Sequence, residues 1–128
     1  MATETGISMY FWDNRISIWK KTLLKLGNPQ YIHLRINQSK KHLFIQRCEE
    51  RDNDAFPIKC SDDLDEMEHC YINAKTLMQY LANLIDVPYP SNSLRFDGRI
   101  MEDEITLFVD LNSYQEIPYG ENQQKHEE

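Results

Sequence analysis

Cysteine and histidine are the residue types in this chain that most readily do chemistry. Cys60, His69 and Cys70 lie close together in the sequence, and both residue types bind zinc. Their spacing does not match a recognised zinc pattern, and a tetrahedral site would need a fourth ligand from elsewhere. We therefore expect ordinary thiols at Cys48, Cys60 and Cys70, with no bound metal. The odd number of cysteines and the absence of a signal-like start favour a reduced, cytoplasmic protein.

An acidic run forms the second group of chemically active side chains. It holds five carboxylates in eight residues, those of Asp62, Asp63, Asp65, Glu66 and Glu68. The run lacks the central glycine and the terminal glutamate of a calcium-binding loop. We expect a solvated linker over residues 61–68. As an alternative, these carboxylates form a surface that docks on a basic protein.

Catalytic motifs are absent from the sequence. There is no nucleophile elbow, phosphate-binding loop, dinucleotide-binding glycine pattern or zinc-protease helix. Only four glycines occur in 128 residues, which disfavours a glycine-rich loop that cradles phosphate. We expect no enzymatic activity and no cofactor.

Basic side chains cluster in the first half of the chain. Eight of them fall within 33 residues, namely Arg15, Lys20, Lys21, Lys25, Arg35, Lys40, Lys41 and Arg47. A patch of this kind neutralises several phosphates and binds nucleic acid in a salt-dependent way. These residues are our predicted nucleic-acid-binding site, although the pI of the whole chain is about 5.1 and nucleic-acid-binding domains are usually basic.

The charge is distributed unevenly along the chain. Residues 1–60 carry a net charge of +4, and residues 61–128 carry a net charge of −11. Such asymmetry predicts that one region attracts anions and another repels them. The alternative is that both regions are solvated surfaces that differ in composition, since net charge affects association and solubility rather than fold.

The elements that must position these side chains can be read from hydrophobic periodicity. The first half predicts a strand over 15–19, a short helix over 20–26, a strand over 31–36, a hairpin loop over 37–41 and a strand over 42–47. In the helix, Leu23 and Leu24 are expected to face inward, and Gly27 is expected to end it in the left-handed conformation. A short edge strand is expected over 55–58, because Pro57 has no backbone donor.

The second half predicts a similar order of strands and helix. It predicts a strand over 70–72, a long helix capped by Asn73, a strand over 93–96, a turn at Asp97-Gly98 and a closing strand over 105–111. The helix has a clear apolar face formed by Leu77, Met78, Leu81, Leu84 and Ile85. No run of apolar residues is long enough to cross a membrane.

Three short matches relate the two halves. Residues 21–24 match 75–78, residues 34–37 match 94–97, and residues 43–45 match 107–109. The offsets grow only through loops, which tolerate insertion. They predict an internal duplication, although two unrelated helix-and-hairpin segments can also share such common residues.

The predicted fold class is α+β. Two β-α-β-β repeats, about 9–58 and 70–117, form a pseudo-two-fold sheet or barrel-like core with two helices, because one repeat is too small to bury its sheet face alone. The chain is expected to be a single domain over 1–128, with a polar tail over 120–128.

One segment, together with the strands that follow it, resembles the AbrB/SpoVT-type swapped-hairpin unit. The segment is Ile16-Ser17-Ile18-Trp19-Lys20-Lys21-Thr22-Leu23-Leu24-Lys25-Leu26-Gly27. The resemblance covers residues 15–47. It departs from the family pattern at Trp19, where the family has proline, and at Gly27-Asn28-Pro29, where the family has Gly-Asp. The second half departs further, with Leu81-Ala82 in place of Leu-Gly. The resemblance implies a small bacterial DNA-binding regulator or antitoxin that works as a dimer.

Together these features predict a small, non-catalytic, cytoplasmic binding module, with DNA as its partner and transcription regulation of the AbrB type as its role. The alternative is an acidic protein-binding inhibitor or adaptor, encoded for example by a phage or mobile element and directed at a nucleic-acid enzyme. No membrane partner is expected, and the sequence leaves the oligomeric state open.

Overall fold

Most of the molecule is built from short β-strands in which apolar and polar residues alternate. The computed structural model describes residues 5–50, 53–60, 70–88 and 93–117. In these ranges the elements are β1 (Gly6–Tyr10), a 3-10 helix (Phe11–Asp13), β2 (Arg15–Ile18), α1 (Lys20–Lys25), β3 (Tyr31–Asn37), β4 (His42–Cys48), β5 (Phe56–Pro57), β6 (Lys59–Cys60), β7 (Cys70–Asn73), α2 (Lys75–Ile85), β8 (Ser93–Ile100), β9 (Thr106–Asp110) and β10 (Gln115–Glu116).

The strands form an antiparallel, barrel-like sheet. Their order is β5-β3-β4-β9-β8-β1-β2-β7-β6, and β10 pairs with the first half of β8. β5 pairs with β3 at one end of this order, while β6 pairs with β7 at the other. Because β5 and β6 belong to one segment, 56–60, that segment joins the two ends of the sheet. The predicted α+β class with a barrel-like core and two helices is therefore confirmed.

The core lies inside this barrel and under the helices. One face of each long strand supplies fully buried side chains, among them Ile7, Met9, Ile45, Phe96 and Leu107. Alternation along the strands then places the other side chains outward. No helix within the described ranges combines the length and apolar character needed to cross a membrane.

β1 is buried on both faces along most of its length. Ile7 and Met9 face the core, and Trp19 covers the opposite face of the strand. The Trp19 indole Nε1 donates a hydrogen bond to Ser8 Oγ at 3.0 Å, and the Arg95 guanidinium lies 4.7 Å from the Trp19 ring centre. A Cβ on Gly6 would lie 2.8 Å from the Trp19 ring. We call the outer surface formed by Gly6, Ser8, Ser17 and Trp19 the tryptophan face.

Helix α1 is attached to β1 through Thr22. The Thr22 hydroxyl accepts a hydrogen bond from the Gly6 N–H at 2.7 Å and donates one to the Gly6 carbonyl at 3.1 Å. Gly27 follows α1 with a φ of 89°, as predicted for the end of the helix. The inward prediction is confirmed for Leu23 and wrong for Leu24, which is 54% exposed. Leu26 is buried in place of Leu24, because it lies one helical turn after Leu23 and therefore on the same side of the helix.

Helix α2 buries the predicted apolar face. Met78, Leu81 and Ile85 are buried, and Leu77 and Leu84 pack against the core from its edge. The prediction that Asn73 caps this helix is wrong. Ala74 holds the cap position without a side-chain hydrogen bond, while Asn73 is the last residue of β7. The Asn73 side chain instead lies 3.4 Å from the carbonyls of Asp13 and Asn14, because β7 pairs with β2 beside that turn.

The prediction of a turn at Asp97-Gly98 is wrong. β8 continues through both residues to Ile100. A Cβ at Gly98 would lie 2.8 Å from Leu107 Cδ1, so this glycine allows β8 and β9 to approach closely rather than turning the chain. The turn lies further on, where the Met101 N–H bonds to the Thr106 carbonyl at 2.8 Å.

The structure also corrects the expectation for two cysteines. Cys60 and Cys70 are direct partners on β6 and β7, and a disulfide joins them. They therefore are not free thiols, because the pairing of two strands places their side chains side by side. Cys48 is free and buried, as an ordinary thiol. The predicted acidic linker 61–68 and polar tail 120–128 lie outside the described residues.

Candidate nucleic-acid interface

Four neighbouring strands present an outward face that carries both arginine and phenylalanine. Arg35 on β3 is the direct partner of Phe44 on β4, and Phe44 is the direct partner of Phe108 on β9. Phe108 is in turn the partner of Arg99 on β8. These four side chains form one continuous row across the sheet, which we call the Arg–Phe row. Since partner residues lie about 5 Å apart, the row is about 15 Å long.

Aromatic contacts fix the centre of the row. The Phe44 and Phe108 ring centres are 5.5 Å apart with the planes tilted by 51°. His42 packs edge-on against Phe108, with ring centres 4.8 Å apart. The Arg99 guanidinium lies 5.2 Å from the centre of the Phe108 ring, within the range of a cation–π contact. Both phenylalanines remain partly exposed, so the row presents a rigid, partly apolar surface to solvent.

A groove of about 740 Å³ lies over the part of this face that holds Arg35 and Phe44, while Phe108 and Arg99 are not part of its lining. We call it the row groove, and its lining combines Phe44 and Met101 with Arg35 and a set of polar neutral side chains, namely Asn37, Gln38, Ser39, Gln46 and Thr106. Asp103 closes one end of the lining. A groove with an aromatic wall, one cation and several amides suits a ligand that has both a flat ring and hydrogen-bonding edges.

Arg35 stands between this groove and a second one. The second groove, of about 600 Å³, is lined by His33, Leu34, Arg35 and residues 53–56. The Arg35 side chain is exposed and has no hydrogen bond or ion pair with any other residue that the structure describes. Its guanidinium is therefore available to an anion in either groove.

Two hairpin loops of opposite charge flank the row. The β3–β4 loop carries Lys40 and Lys41, and the β8–β9 loop carries Glu102, Asp103 and Glu104. Since β4 and β9 are antiparallel, with His42 opposite Asp110 and Gln46 opposite Thr106, the two loops lie at opposite ends of the face. The face therefore has an acidic end and a basic end, and at the basic end the two lysines outnumber the single carboxylate of Asp110.

Asp103 is engaged in its own loop. Its Oδ2 accepts a hydrogen bond from the Thr106 hydroxyl at 2.7 Å, and its Oδ1 accepts from the N–H groups of Ile105 and Thr106. The Thr106 hydroxyl, followed by the Ile105 N–H, holds the pKa of Asp103 below its ordinary value of 3.8. The carboxylate stays ionised near neutral pH and fixes this end of the groove.

The eight predicted basic residues do not form one patch. Arg35, Lys40 and Lys41 belong to the β3–β4 hairpin and border the Arg–Phe row. Lys20, Lys21 and Lys25 lie exposed on α1. The hairpin residues are the members of the predicted set that the structure combines with an aromatic surface.

Arg15 and Arg47 make contacts within the fold. Arg47 Nη1 donates to the Leu26 carbonyl at 3.2 Å, and its Nη2 lies 3.4 Å from Glu49 Oε2, so this side chain caps the end of α1. Arg15 lies across the barrel on β2, with its guanidinium 3.8 Å from the Tyr71 ring centre. Its Nε is 2.9 Å from Asp13 Oδ2, at an ion-pair distance without hydrogen-bond geometry.

The alternative protein-binding residues cannot be placed in the same way. Asp62, Asp63, Asp65, Glu66 and Glu68 lie outside the described residues, as does His69. Within the described ranges, no group of three or more His, Cys, Asp or Glu side chains comes together as a metal site would require.

Phe44, Phe108 and Arg99 were not among the predicted site residues. The sequence does contain a sign of the two phenylalanines. Each stands between two aliphatic residues in its strand, so alternation places each ring on the outer face. Arg99 could not be found in this way, because the sequence predicts a turn at Asp97-Gly98 and so ends the strand before it.

Comparison of the chain with family models, with curated proteins and with solved structures finds no match.

Proposed function

We propose that this protein is a non-catalytic nucleic-acid-binding module and that the face carrying the Arg–Phe row is its contact surface. The single observation that carries the proposal is the row itself, in which two phenylalanine rings lie between two arginines on adjacent strands. Arginine supplies charge-assisted hydrogen bonds to phosphate, and an aromatic ring supplies a stacking surface for a base.

The overall acidity of the chain does not oppose this proposal at short range. The Debye length is about 8 Å at physiological ionic strength, so charges further away than that are largely screened. Arg35 on β3 and Lys40 and Lys41 on the following loop form a local region of net positive charge, in which Asp110 opposite His42 is the acidic group. The acidic end then limits how far a polyanion extends along the groove.

We also propose that the barrel consists of two β-α-β-β units related by a pseudo-two-fold axis. The units are β2-α1-β3-β4 and β7-α2-β8-β9. Strand register supports the relation at β4 and β9. Phe44 pairs with Phe108, Leu43 with Val109 and Ile45 with Leu107, as expected when residues 64 apart are equivalent and the axis passes through the phenylalanine pair.

The register of β2 and β7 supports the same relation. Ile16 pairs with Ile72 and Ile18 pairs with Cys70, while Ser17 faces Tyr71. This is the pattern of an axis that passes between Ser17 and Tyr71, with residues 54 apart equivalent. The offsets are those of the sequence matches at residues 21–24 and 43–45.

One of the sequence matches is displaced under this relation. The predicted match of residues 34–37 with 94–97 pairs Arg35 with Arg95. Cross-strand partners instead support Arg99 as the counterpart of Arg35, because each faces one phenylalanine of the central pair. The Arg–Phe row would then be symmetric about the axis.

The biological role remains the one that the resemblance implies. We propose a bacterial DNA-binding regulator of the AbrB/SpoVT type, for which the basic β3–β4 hairpin lies inside the resembling segment. The Arg–Phe row extends this proposal to β8 and β9, which the resemblance does not cover.

A salt titration with two matched double variants tests the proposed surface. We expect R35A/R99A to weaken binding of a fluorescein-labelled oligonucleotide at least tenfold and to lower the slope of log K against log salt by about 1 to 2. The control K20A/K25A removes the same charge from α1 and is expected to bind like the wild type. Equal affinity of both variants with the wild type would rule out the row as the contact surface.

A further inference from the structure

We infer that the row groove binds single-stranded nucleic acid, with one unpaired base lying against the Phe44 ring; this inference rests on the proposed function. The first argument is access. Phe44 is partly buried in the floor of the groove and between its partners Arg35 and Phe108. The bases of a duplex are stacked on each other and present only their edges. A flat base face therefore reaches this ring only from an unpaired strand.

The second argument is the hydrogen-bonding character of the lining. Gln38 and Gln46 line the groove, and their side-chain amides have no hydrogen-bond partner among the residues that the structure describes. An amide offers both a donor and an acceptor, which is the complement of the Watson–Crick edge of a base. These edges are exposed in a single strand and already paired in a duplex.

Asn37 adds a rigid part to the same wall. Its Oδ1 accepts hydrogen bonds from the Ser39 hydroxyl at 3.1 Å and from the Lys40 N–H at 3.2 Å. This holds the side-chain oxygen toward the loop and fixes the orientation of the amide. The polar wall of the groove is thus partly preorganised, which reduces the entropic cost of ordering it around a ligand.

The third argument is the distribution of charge along the groove. The β3–β4 loop with its two lysines borders one end of the groove, Arg35 lies beside Phe44, and the ionised Asp103 lines the other end. A phosphate backbone is attracted to the first end and repelled by the second. The site therefore accommodates a few nucleotides, with phosphate at Arg35 and a base between Phe44 and Gln46, rather than a long continuous strand.

Competition between strand forms tests the inference. The probes are a fluorescein-labelled thirty-nucleotide oligothymidylate and the same strand annealed to oligoadenylate, each titrated by fluorescence anisotropy at low salt and below the melting temperature of the duplex. We expect the single strand to bind at least tenfold more tightly than the duplex. Equal or tighter binding of the duplex would overturn the inference and leave the proposed function intact, whereas no binding of either probe would overturn both.

A substitution at Phe44 separates the contribution of base stacking to affinity from the contribution of charge. Phe44→Leu keeps the apolar volume and removes the aromatic face, and we expect about a tenfold loss for the single strand with an unchanged salt slope. Tyr80→Leu, which removes a 38% exposed aromatic ring from α2, is the matched control and is expected to bind normally. Unchanged affinity of a folded Phe44→Leu protein would overturn the base contact.

A second measurement avoids dependence on the folding of that variant. Oligothymidylate that carries 4-thiothymidine is cross-linked to the wild-type chain by ultraviolet light, and the attached peptide is identified by mass spectrometry. We expect attachment within residues 35–46 or at Met101. Attachment confined to α1 or α2 would overturn the assignment of the groove.

Discussion

The tryptophan face and the face of the Arg–Phe row use opposite ways of placing an aromatic ring on a sheet. In the tryptophan face, the strand residues Gly6 and Ser8 are small, and the ring of Trp19 covers them from outside. In the Arg–Phe row, the rings belong to the strands themselves and remain partly exposed. The first arrangement closes a sheet face, while the second leaves one open for a ligand.

On each of the two faces an arginine side chain lies against an aromatic ring, but the consequences differ. Arg95 lies over Trp19, and Arg99 lies over Phe108 at a similar distance. Under Arg95 the sheet is sealed by buried serines, whereas the open row groove lies beside Arg35 and Phe44. An arginine stacked on a ring is thus not by itself a sign of a site, and the open groove makes the difference.

The largest expected effect lies on the tryptophan face. Gly6→Ala places a Cβ against the Phe96 carbonyl oxygen and the Trp19 ring, so we expect the free energy of unfolding to fall by about 3 kcal/mol. The comparison is Gly27→Ala, where strain from the positive φ costs about 1 kcal/mol and the nearest atom is at the end of the flexible Arg47 side chain. Urea denaturation measures both, and equal losses would contradict the close packing of the tryptophan face.

The disulfide gives the next largest effect. Cys60→Ser with Cys70→Ser removes a link that spans 10 residues of sequence, and we expect a loss of about 2 to 3 kcal/mol of stability. The measurement is urea denaturation with and without reductant. Reductant should lower the stability of the wild type to the same level and leave the double variant unchanged; a wild type insensitive to reductant would contradict the link.

Trp19→Ala and Phe44→Ala compare the two faces directly. We expect Trp19→Ala to reduce stability by about 2 kcal/mol, because it uncovers β1, and Phe44→Ala by about 1 kcal/mol, because its ring is already partly exposed. Binding of oligothymidylate should show the reverse order, with Trp19→Ala unchanged and Phe44→Ala weakened. Loss of binding in a folded Trp19→Ala protein would show that the tryptophan face also contacts the ligand.

The smallest effect concerns Asp103 at the acidic end of the groove. Its pKa in the folded protein lies below the ordinary 3.8, so its hydrogen bonds stabilise the fold above that pH and are lost as the pH falls through the lowered value. We expect Asp103→Asn to be less stable than the wild type at pH 7, with the difference disappearing at a pH well below 3.8. Denaturation midpoints at both pH values measure this, and a difference that persists in acid would assign the effect to packing.

The sequence predicts local structure better than it predicts pairing. The periodicity of α2, the glycine that ends α1 and the hairpin over residues 37–41 all depend on neighbouring residues and are confirmed. The Asp97-Gly98 turn fails because the contact that requires Gly98 comes from Leu107 on another strand. The disulfide was missed for the same reason, since only the pairing of β6 with β7 brings Cys60 beside Cys70.

In the candidate site, too, features that depend on local sequence could be predicted and features that depend on strand pairing could not. Alternation alone places Arg35 outward, so this residue could be predicted. The Arg–Phe row depends on the pairing of β4 with β9, whose register is set by the core rather than by local sequence. Charge alone grouped Arg15 and Arg47 with Arg35, although one lies across the barrel and the other caps α1.

The position of β1 between β2 and β8 has a consequence for a growing polypeptide on the ribosome. Thr5, just before β1, bonds to Gly98, which is 93 residues later in the chain. At roughly 5–20 residues per second, translation takes about 5 to 20 s to supply that partner. During this interval one edge of the first strand exposes unpaired backbone groups, so a nascent chain is open to chaperone capture or aggregation there before β8 emerges.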